Sequence, residues 1–251
     1  MARFYLPPDR WSEGTLVLEG DEARHGTQVL RLKQGDELAL FDGHGKSVAC
    51  HLEAIEGRGR IFCVPNGEVQ LEQAPTTQLH LAPALLKGKN LDLVLQKATE
   101  LGVDRITPLI TDRTVARPDS RDLARKREKW QRTVLEAAKQ CGRNWLPEIC
   151  DPITATEFFR ELETDEIGFV GALEGDRVAL RTELSGAKES VSEVVVAIGP
   201  EGDFSPQEYA KATQSGWSGI DLGPLVLRSE TACLSALAVI SYELRVAGVG
   251  F

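Results

Sequence analysis

From residue 78 onward the chain alternates apolar strand-like segments with helical ones, and this alternation limits the fold more than any other feature of the sequence. Residues 79–86, 105–110, 166–172, 193–198 and 219–222 read as strands, the fourth rich in β-branched residues (Val194-Val195-Val196-Ala197-Ile198). Residues 90–101 and 119–141 read as helices ended by Gly102 and Gly142. Ser205-Pro206-Gln207-Glu208 is a capping box with proline at the first helical position, so a helix runs to about residue 215. Ser229-Glu230-Thr231 opens the last helix. Repeated strand–helix units predict an α/β fold: a largely parallel sheet with helices on both faces.

Residues 1–74 read differently. Strands are expected at 36–41, closed by the turn Asp42-Gly43, at 47–55 and at 60–64, with one helix at 21–31. Short strands at this spacing suggest a small barrel or meander. The polar stretch 70–77, which contains Pro75, is the linker candidate, so the expected domains are 1–74 and 75–251. A length of 251 residues with 42% apolar and 27% charged residues is enough for two modest cores.

The net charge of −9 excludes a wholly basic nucleic-acid binder while leaving room for a local basic patch. No apolar run reaches the roughly 20 residues of a membrane span; the most apolar segment, 232–251, is broken by Glu243 and Arg245. The N-terminus carries no secretory signal pattern. Five cysteines without a CxxC, and four histidines without ligand spacing, predict neither a disulfide framework nor a metal site. A reducing, cytoplasmic setting is expected.

In open α/β sheets, ligands bind beyond the carboxyl ends of the strands. Three loops meet that rule: Gly171-Ala172-Leu173-Glu174-Gly175, Gly199-Pro200-Glu201-Gly202-Asp203-Phe204-Ser205, and Gly223-Pro224-Leu225-Val226-Leu227-Arg228-Ser229-Glu230-Thr231. Each by itself reads equally well as an ordinary strand–helix turn. Their occurrence on consecutive strand ends makes the case for a ligand site. No dinucleotide-binding glycine fingerprint, phosphate-binding P-loop or GxSxG elbow is present, which disfavours dehydrogenase, P-loop NTPase and common hydrolase chemistry.

Charge is unevenly spread. Residues 113–143 carry ten Lys/Arg against four Asp/Glu, and residues 147–193 four against twelve. Arg121, Arg125, Lys129 and Arg132 share one helical face, with Arg113 and Arg117 upstream and Arg143 downstream. Such a stripe is either a solvated helix face or a phosphate track. Arg24, His25, Arg31 and Lys33 give a weaker basic cluster in the first domain, where His25 reads more readily as structural than catalytic. Trp130 and Trp145 suit either base stacking or the core.

Taken in order, five motifs resemble the ribosomal RNA small subunit methyltransferase E family. They are His25…Val29-Leu30-Arg31, Gln96-Lys97-Ala98-Thr99-Glu100-Leu101-Gly102-Val103, Glu136-Ala137-Ala138-Lys139-Gln140-Cys141-Gly142-Arg143, Ile198–Ser205 and the run from Leu222 to Ala232. Asp203 stands where the family often has a second glycine, and Val226 where it often has isoleucine. The resemblance implies a small N-terminal PUA-like β-barrel that helps hold RNA, followed by a SPOUT α/β domain with a C-terminal trefoil knot. It implies formation of N3-methyluridine in 16S rRNA of the 30S subunit, with S-adenosylmethionine as cofactor, no metal, and a homodimer that completes each site. The cofactor would be held by Ala172, Leu173, Gly199, Pro200, Glu201, Gly202, Leu222, Gly223, Leu225, Leu227 and Thr231. N3 of uridine lies on the pairing edge and loses a proton on methylation, so the base must be unpaired and its developing anion stabilised. Arg228 is the expected anion stabiliser. Glu201 is the expected catalytic carboxylate, and either Glu201 or Glu230 suits accepting a proton or orienting Arg228, while each suits capping a helix or bracing a loop equally well, Glu230 at the start of the last helix above all. The competing readings are a SPOUT methyltransferase acting on another RNA and a non-catalytic RNA-binding assembly factor.

Overall fold

The computed structural model describes residues 1–57, 59–114, 120–160, 162–173, 175–186 and 191–246. The chain divides into two compact units, Met1–Ala74 with Ala138–Leu146, and Pro75–Ala137 with Pro147–Phe251.

In the first unit β1 (Ala2–Tyr5), β2 (Leu16–Glu19), α1 (Gly20–Arg24), β3 (Glu37–Phe41), β4 (Lys46–Glu56), β5 (Arg60–Pro65) and β6 (Gln70–Leu71) follow in order. The strands form one sheet, β1-β3-β4-β5-β2, with β6 on β4. β1 runs parallel to β3, and the other pairs are antiparallel. Phe4, Leu16, Leu18, Leu38, Leu40, Leu52 and Ile61 fill its core. The turn after β3 is held by Asp42, whose Oδ1 accepts the amides of His44 (2.7 Å) and Lys46 (3.0 Å). The three strands expected here are present. β1, β2 and β6 are additional, and β6 occupies the start of the expected linker.

The expected helix 21–31 is α-helical only to Arg24 and continues as one π turn over His25–Val29. Gly26 explains the change of pitch. It is buried, and a Cβ there would lie 2.7 Å from Ile61 Cδ1, so the backbone is pressed against β5. Segment 138–146 is tied into the same unit: Arg3 donates to Asn144 Oδ1 (2.6 Å), Asn144 to Glu72 (2.9 Å), and the buried Lys139 pairs with Glu22 (2.9 Å).

The second unit contains β7 (Gln78–Pro83), α2 (Asn90–Glu100), β8 (Arg105–Ile106), β9 (Leu109–Ile110), α3 (Ser120–Cys141, its last turn counted with the first unit), β10 (Glu148–Ile149), β11 (Ile153–Thr154), α4 (Ala155–Phe158), β12 (Glu166–Gly171), α5 (Leu180–Gly186), β13 (Glu193–Ile198), α6 (Pro206–Gln214), β14 (Ser218–Ile220) and α7 (Ser229–Val246). The main sheet is parallel throughout, in the order β10-β8-β7-β13-β12-β14. The strand expected over 105–110 is two strands. Pro108 cannot donate to a ladder, and the second piece leaves the main sheet to pair with β11.

Alternate residues of the central strands serve opposite faces. Leu79, Leu81, Val194 and Val196 pack with α2, α5 and α7, while Ala82, Val195 and Ala197 pack with Phe159, Phe204 and Trp217 on the other side. Trp130 belongs to the first of these cores and is 4% exposed. No helix among the described residues is long and apolar enough to cross a membrane.

Candidate functional site

The ends of three parallel strands set the site. Val170 of β12 is level with Ala197 of β13, and Gly171 is level with Ile220 of β14, so the following loops leave the sheet at one edge. They enclose a small cavity of about 90 Å³ lined by Gly171–Leu173, Ile198–Glu201, Ile220–Gly223 and Leu227. It shares Ala172, Leu173, Glu201 and Asp203 with a larger cavity of about 850 Å³ bounded by α6 and β14. The small cavity takes only part of a ligand by itself, since pockets for nucleoside-sized molecules run to roughly 300–1,000 Å³. The adjoining space extends it.

The backbone packs closely at glycines where the walls meet. A Cβ on Gly171 would lie 2.7 Å from Ile198 Cδ1, and one on Gly199 would lie 3.0 Å from the Phe204 amide nitrogen. These contacts let main-chain groups, with no side chain in front of them, form the cavity surface.

The loop after β13 is fastened at several points. Asp203 takes φ +63°, a left-handed conformation, and its amide donates to the Pro200 carbonyl (2.8 Å). Its Oδ1 accepts the Phe204 amide (2.8 Å) and faces the Tyr209 hydroxyl (2.7 Å). The aspartate therefore supplies hydrogen bonds that offset the cost of a conformation glycine adopts freely. The Arg113 guanidinium donates to the Gly202 carbonyl. The predicted capping box forms: the Glu208 amide donates to Ser205 Oγ (3.3 Å), and the Ser205 amide to Glu208 (2.7 Å). The segment after β9 joins it, with the Asp112 amide donating to Glu208 (2.9 Å) and Ser205 Oγ to Asp112 (2.6 Å). Burial, then the neighbouring Asp203 carboxylate, hold the Tyr209 phenol well above its ordinary pKa.

In the third loop the Gly223 amide donates to Asp221 (3.0 Å), and Leu222 and Leu227 face the small cavity. Leu225 does not line it and is 75% exposed; Thr231 is exposed on the first turn of α7 and also lies off the wall. Gly202 lines the larger cavity. Arg228 is exposed just before α7. Glu230 accepts from Asn90 Nδ2 (3.4 Å), which joins the starts of α2 and α7. Of the expected carboxylates, Glu201 alone lines both cavities.

The expected basic residues are distributed unequally. Arg113 is at the loop just described and not on a helix stripe. Arg125 is paired with Asp122 (3.0 Å) and Lys129 with Asp92, while Arg132 is exposed. Arg117 lies outside the described residues, as does the side chain of Arg121. In the first unit Arg24 pairs with Asp21, His25 meets the edge of Phe4 (ring centroids 6.1 Å apart), Arg31 is exposed at φ +55°, and the Arg143 carbonyl accepts from Arg3 (3.3 Å). Trp145 packs edge-on to His44. Sequence reasoning passed over Asp112 and Tyr209. The capping box was the only signal for Tyr209, since it places residue 209 on the first turns of α6, and nothing local marked Asp112.

Residues 72–241 match the RNA methyltransferase domain family, and residues 18–66 match the RNA methyltransferase PUA domain family. The ribosomal RNA small subunit methyltransferase E of a Synechocystis species is 31% identical over 95% of this chain and 77% of its own length. The protein of that name from Mycobacterium bovis is 30% identical over 94% and 90%. The chain belongs to the ribosomal RNA small subunit methyltransferase E family. The family member from Neisseria gonorrhoeae, solved bound to S-adenosylmethionine, superposes with a TM-score of 0.82 at 29% identity, covering 96% of this chain and 97% of that one. A methyltransferase of Legionella pneumophila, solved with the same cofactor bound, superposes with a TM-score of 0.85 at 32% identity over 96% and 97%. In this family's terms the first unit is the PUA-like domain and the second the SPOUT methyltransferase domain.

Proposed function

We propose that this protein uses S-adenosylmethionine to methylate N3 of a uridine in 16S rRNA of the small ribosomal subunit. The observation that carries this reading is the meeting of three glycine-bearing loops, from the ends of β12, β13 and β14, around one cavity. The cavity fits the cofactor in kind. Close-packed Gly171 and Gly199 expose main-chain groups to its polar atoms, and Ile220, Leu222 and Leu227 offer apolar surface to a purine ring. Pro200, Glu201 and Gly223 also line it, together with the polar side chains of Arg177, Asp203, Asp221 and Ser229. When bound, the cofactor supplies a methyl group on a sulfonium centre.

This chain's own residues would do the rest. Arg228, exposed before α7, donates to O2 or O4 of the uracil as negative charge develops on the ring. Glu201, at the boundary of the two cavities, accepts or relays the N3 proton. Holding N3 in line with the methyl group contributes through orientation alone. Glu230, engaged by Asn90, steadies the start of α7.

The same reading includes a homodimer acting in the cytoplasm. It is supported by apolar side chains left exposed on α2, on the third loop and on α7: Leu93, Leu225, Val226, Val239 and Tyr242. A second protomer covering both would give Leu225 a place at the site beside Val226, which already lines the small cavity. The trefoil knot that the resemblance implies would lie in the chain after β13. After β13, in the middle of the sheet, the chain passes to β14 at its edge and then returns as α7 onto β7 and β13. RNA contacts are assigned to Arg24, His25, Arg31 and Arg143 in the first unit, and to Arg113, Arg117, Arg121, Arg125, Lys129 and Arg132 in and before α3.

The test is methyl transfer from labelled S-adenosylmethionine to 30S subunits and to protein-free 16S rRNA, with the product nucleoside identified by mass spectrometry. N3-methyluridine is expected. A different methylated nucleoside overturns the assignment of position. Cofactor binding without transfer to either acceptor points to another RNA, and absence of cofactor binding to a non-catalytic assembly factor.

A further inference from the structure

Tyr209 lines the larger cavity and reaches the wall that this cavity shares with the smaller one. Its hydroxyl oxygen is 2.9 Å from the Gly171 carbonyl, at the end of β12, and 2.7 Å from Asp203 Oδ1, in the loop after β13. A phenol carries one proton, and both neighbours are acceptors, so the proton is shared in a three-centre bond. Asp203 Oδ1 also accepts the Phe204 amide at 2.8 Å. A continuous chain of polar contacts therefore runs from the end of one strand, through Tyr209, to the loop of its neighbour. That loop has little freedom to shift as a body: Gly199 packs on the backbone of Asp203 and Phe204, and Ser205 is held by its cap. The raised pKa of the phenol keeps it a donor through the neutral range.

We infer that Tyr209 is a positioning residue for the methyl-donor site. Its hydroxyl sets the spacing between Gly171 and Asp203, and with it the placement of Ala172 and Leu173 on the shared wall. Asp203 is the other half of this brace. An aspartate can therefore stand at a position whose backbone suits glycine. The inference rests on the reading of this cavity as the S-adenosylmethionine site.

Tyr209→Phe, Asp203→Gly, the double variant and Asp203→Asn test it. Amide hydrogen exchange is measured by mass spectrometry on cofactor-free protein, and S-adenosylmethionine affinity by calorimetry. Tyr209→Phe is expected to speed exchange in segments 171–173 and 202–204 and to weaken cofactor binding about tenfold, the size of one hydrogen bond to a charged group. Turnover at saturating cofactor is expected to stay within about twofold, because the hydroxyl acts on loop placement and not on the reacting atoms. In the Asp203→Gly background the same substitution should cost only about threefold, since half of the brace is already gone. Asp203→Asn keeps an acceptor oxygen and should behave as wild type in both measurements. Unchanged loop exchange in Tyr209→Phe overturns the inference, as does strict additivity in the double variant. If Tyr209→Phe exchanges faster throughout the chain, the comparison of Asp203→Gly with Asp203→Asn decides instead, and equal loop exchange in those two overturns it. Failure of the wild-type protein to bind S-adenosylmethionine refutes the cofactor reading, while the exchange arm still decides the brace.

Discussion

Gly171 and Arg228 serve the same site by opposite means, one by lacking a side chain and the other by extending one into solvent. An alanine methyl at position 171 would sit 2.7 Å from Ile198 Cδ1, just past the last β12–β13 pair, Val170 with Ala197. Gly171→Ala is therefore expected to destabilise the fold by about 1–3 kcal/mol, the usual cost of overpacking, and to weaken cofactor binding as the strand ends separate. Urea denaturation with parallel calorimetry checks this, and wild-type values in both would show that Ile198 yields without strain. Arg228 has the opposite profile. It is exposed and lies off both cavity walls. Arg228→Ala should leave cofactor affinity intact and lower methyl transfer by about 100-fold or more, as loss of a donor to a developing anion does. Unchanged turnover would remove Arg228 from the chemistry.

At the level of elements, α6 and the β9 segment work as one piece. Ser205 Oγ accepts the Glu208 amide and donates to Asp112, and Glu208, itself 1% exposed, accepts the amides of Ser205 and Asp112. Ser205→Ala removes the cap and leaves Asp112 without that donor. The expected loss of stability is about 1–2 kcal/mol, the upper part of the range for N-cap substitutions. Chemical denaturation measures it, and a loss under about 0.5 kcal/mol would mean that water replaces the cap. The capping box was legible in four consecutive residues because it is a local device. The contact with Asp112 was not, since it joins residues 93 positions apart. The split of 105–110 follows the same division. Pro108 is visible in the sequence, but which partner each half finds is settled by β7, β10 and β11.

At the scale of the whole molecule, buried thiols tie stability to alkaline pH. Burial raises Cys50 from 9.0 to about 11, and burial with neighbouring Cys50 raises Cys63 to about 12. Both lie in the core of the first unit, and burial also raises Cys233, in the core of the second. A folded-state pKa above the unfolded one means that the native protein holds protons the unfolded chain has released. The stabilisation is full below about pH 9 and is lost as pH rises through about 11 to 12. Denaturation midpoints should therefore fall over that window, and the double change Cys50→Ala, Cys63→Ala should flatten the fall despite its lower starting stability. An identical slope in that variant would assign the alkaline loss to other groups.

The sequence by itself determined the alternation of strands and helices from residue 78, the loops at the ends of β12, β13 and β14, and the family, because periodicity, caps and turn residues are local and survive without tertiary contacts. Only the tertiary structure decided which loop residues face a cavity. Leu222 and Leu227 do, while Leu225 and Thr231 do not, and the difference turns on how the chain from Gly223 to Ser229 lies over the sheet edge. It also brought Arg113, upstream of the basic stripe, to the Gly202 carbonyl and joined Tyr209 to both Gly171 and Asp203. The π turn at His25–Val29 belongs with these, since Gly26 meets Ile61 across 35 residues of chain. Contacts of that span leave no periodic trace in the sequence; packing alone brings the partners together.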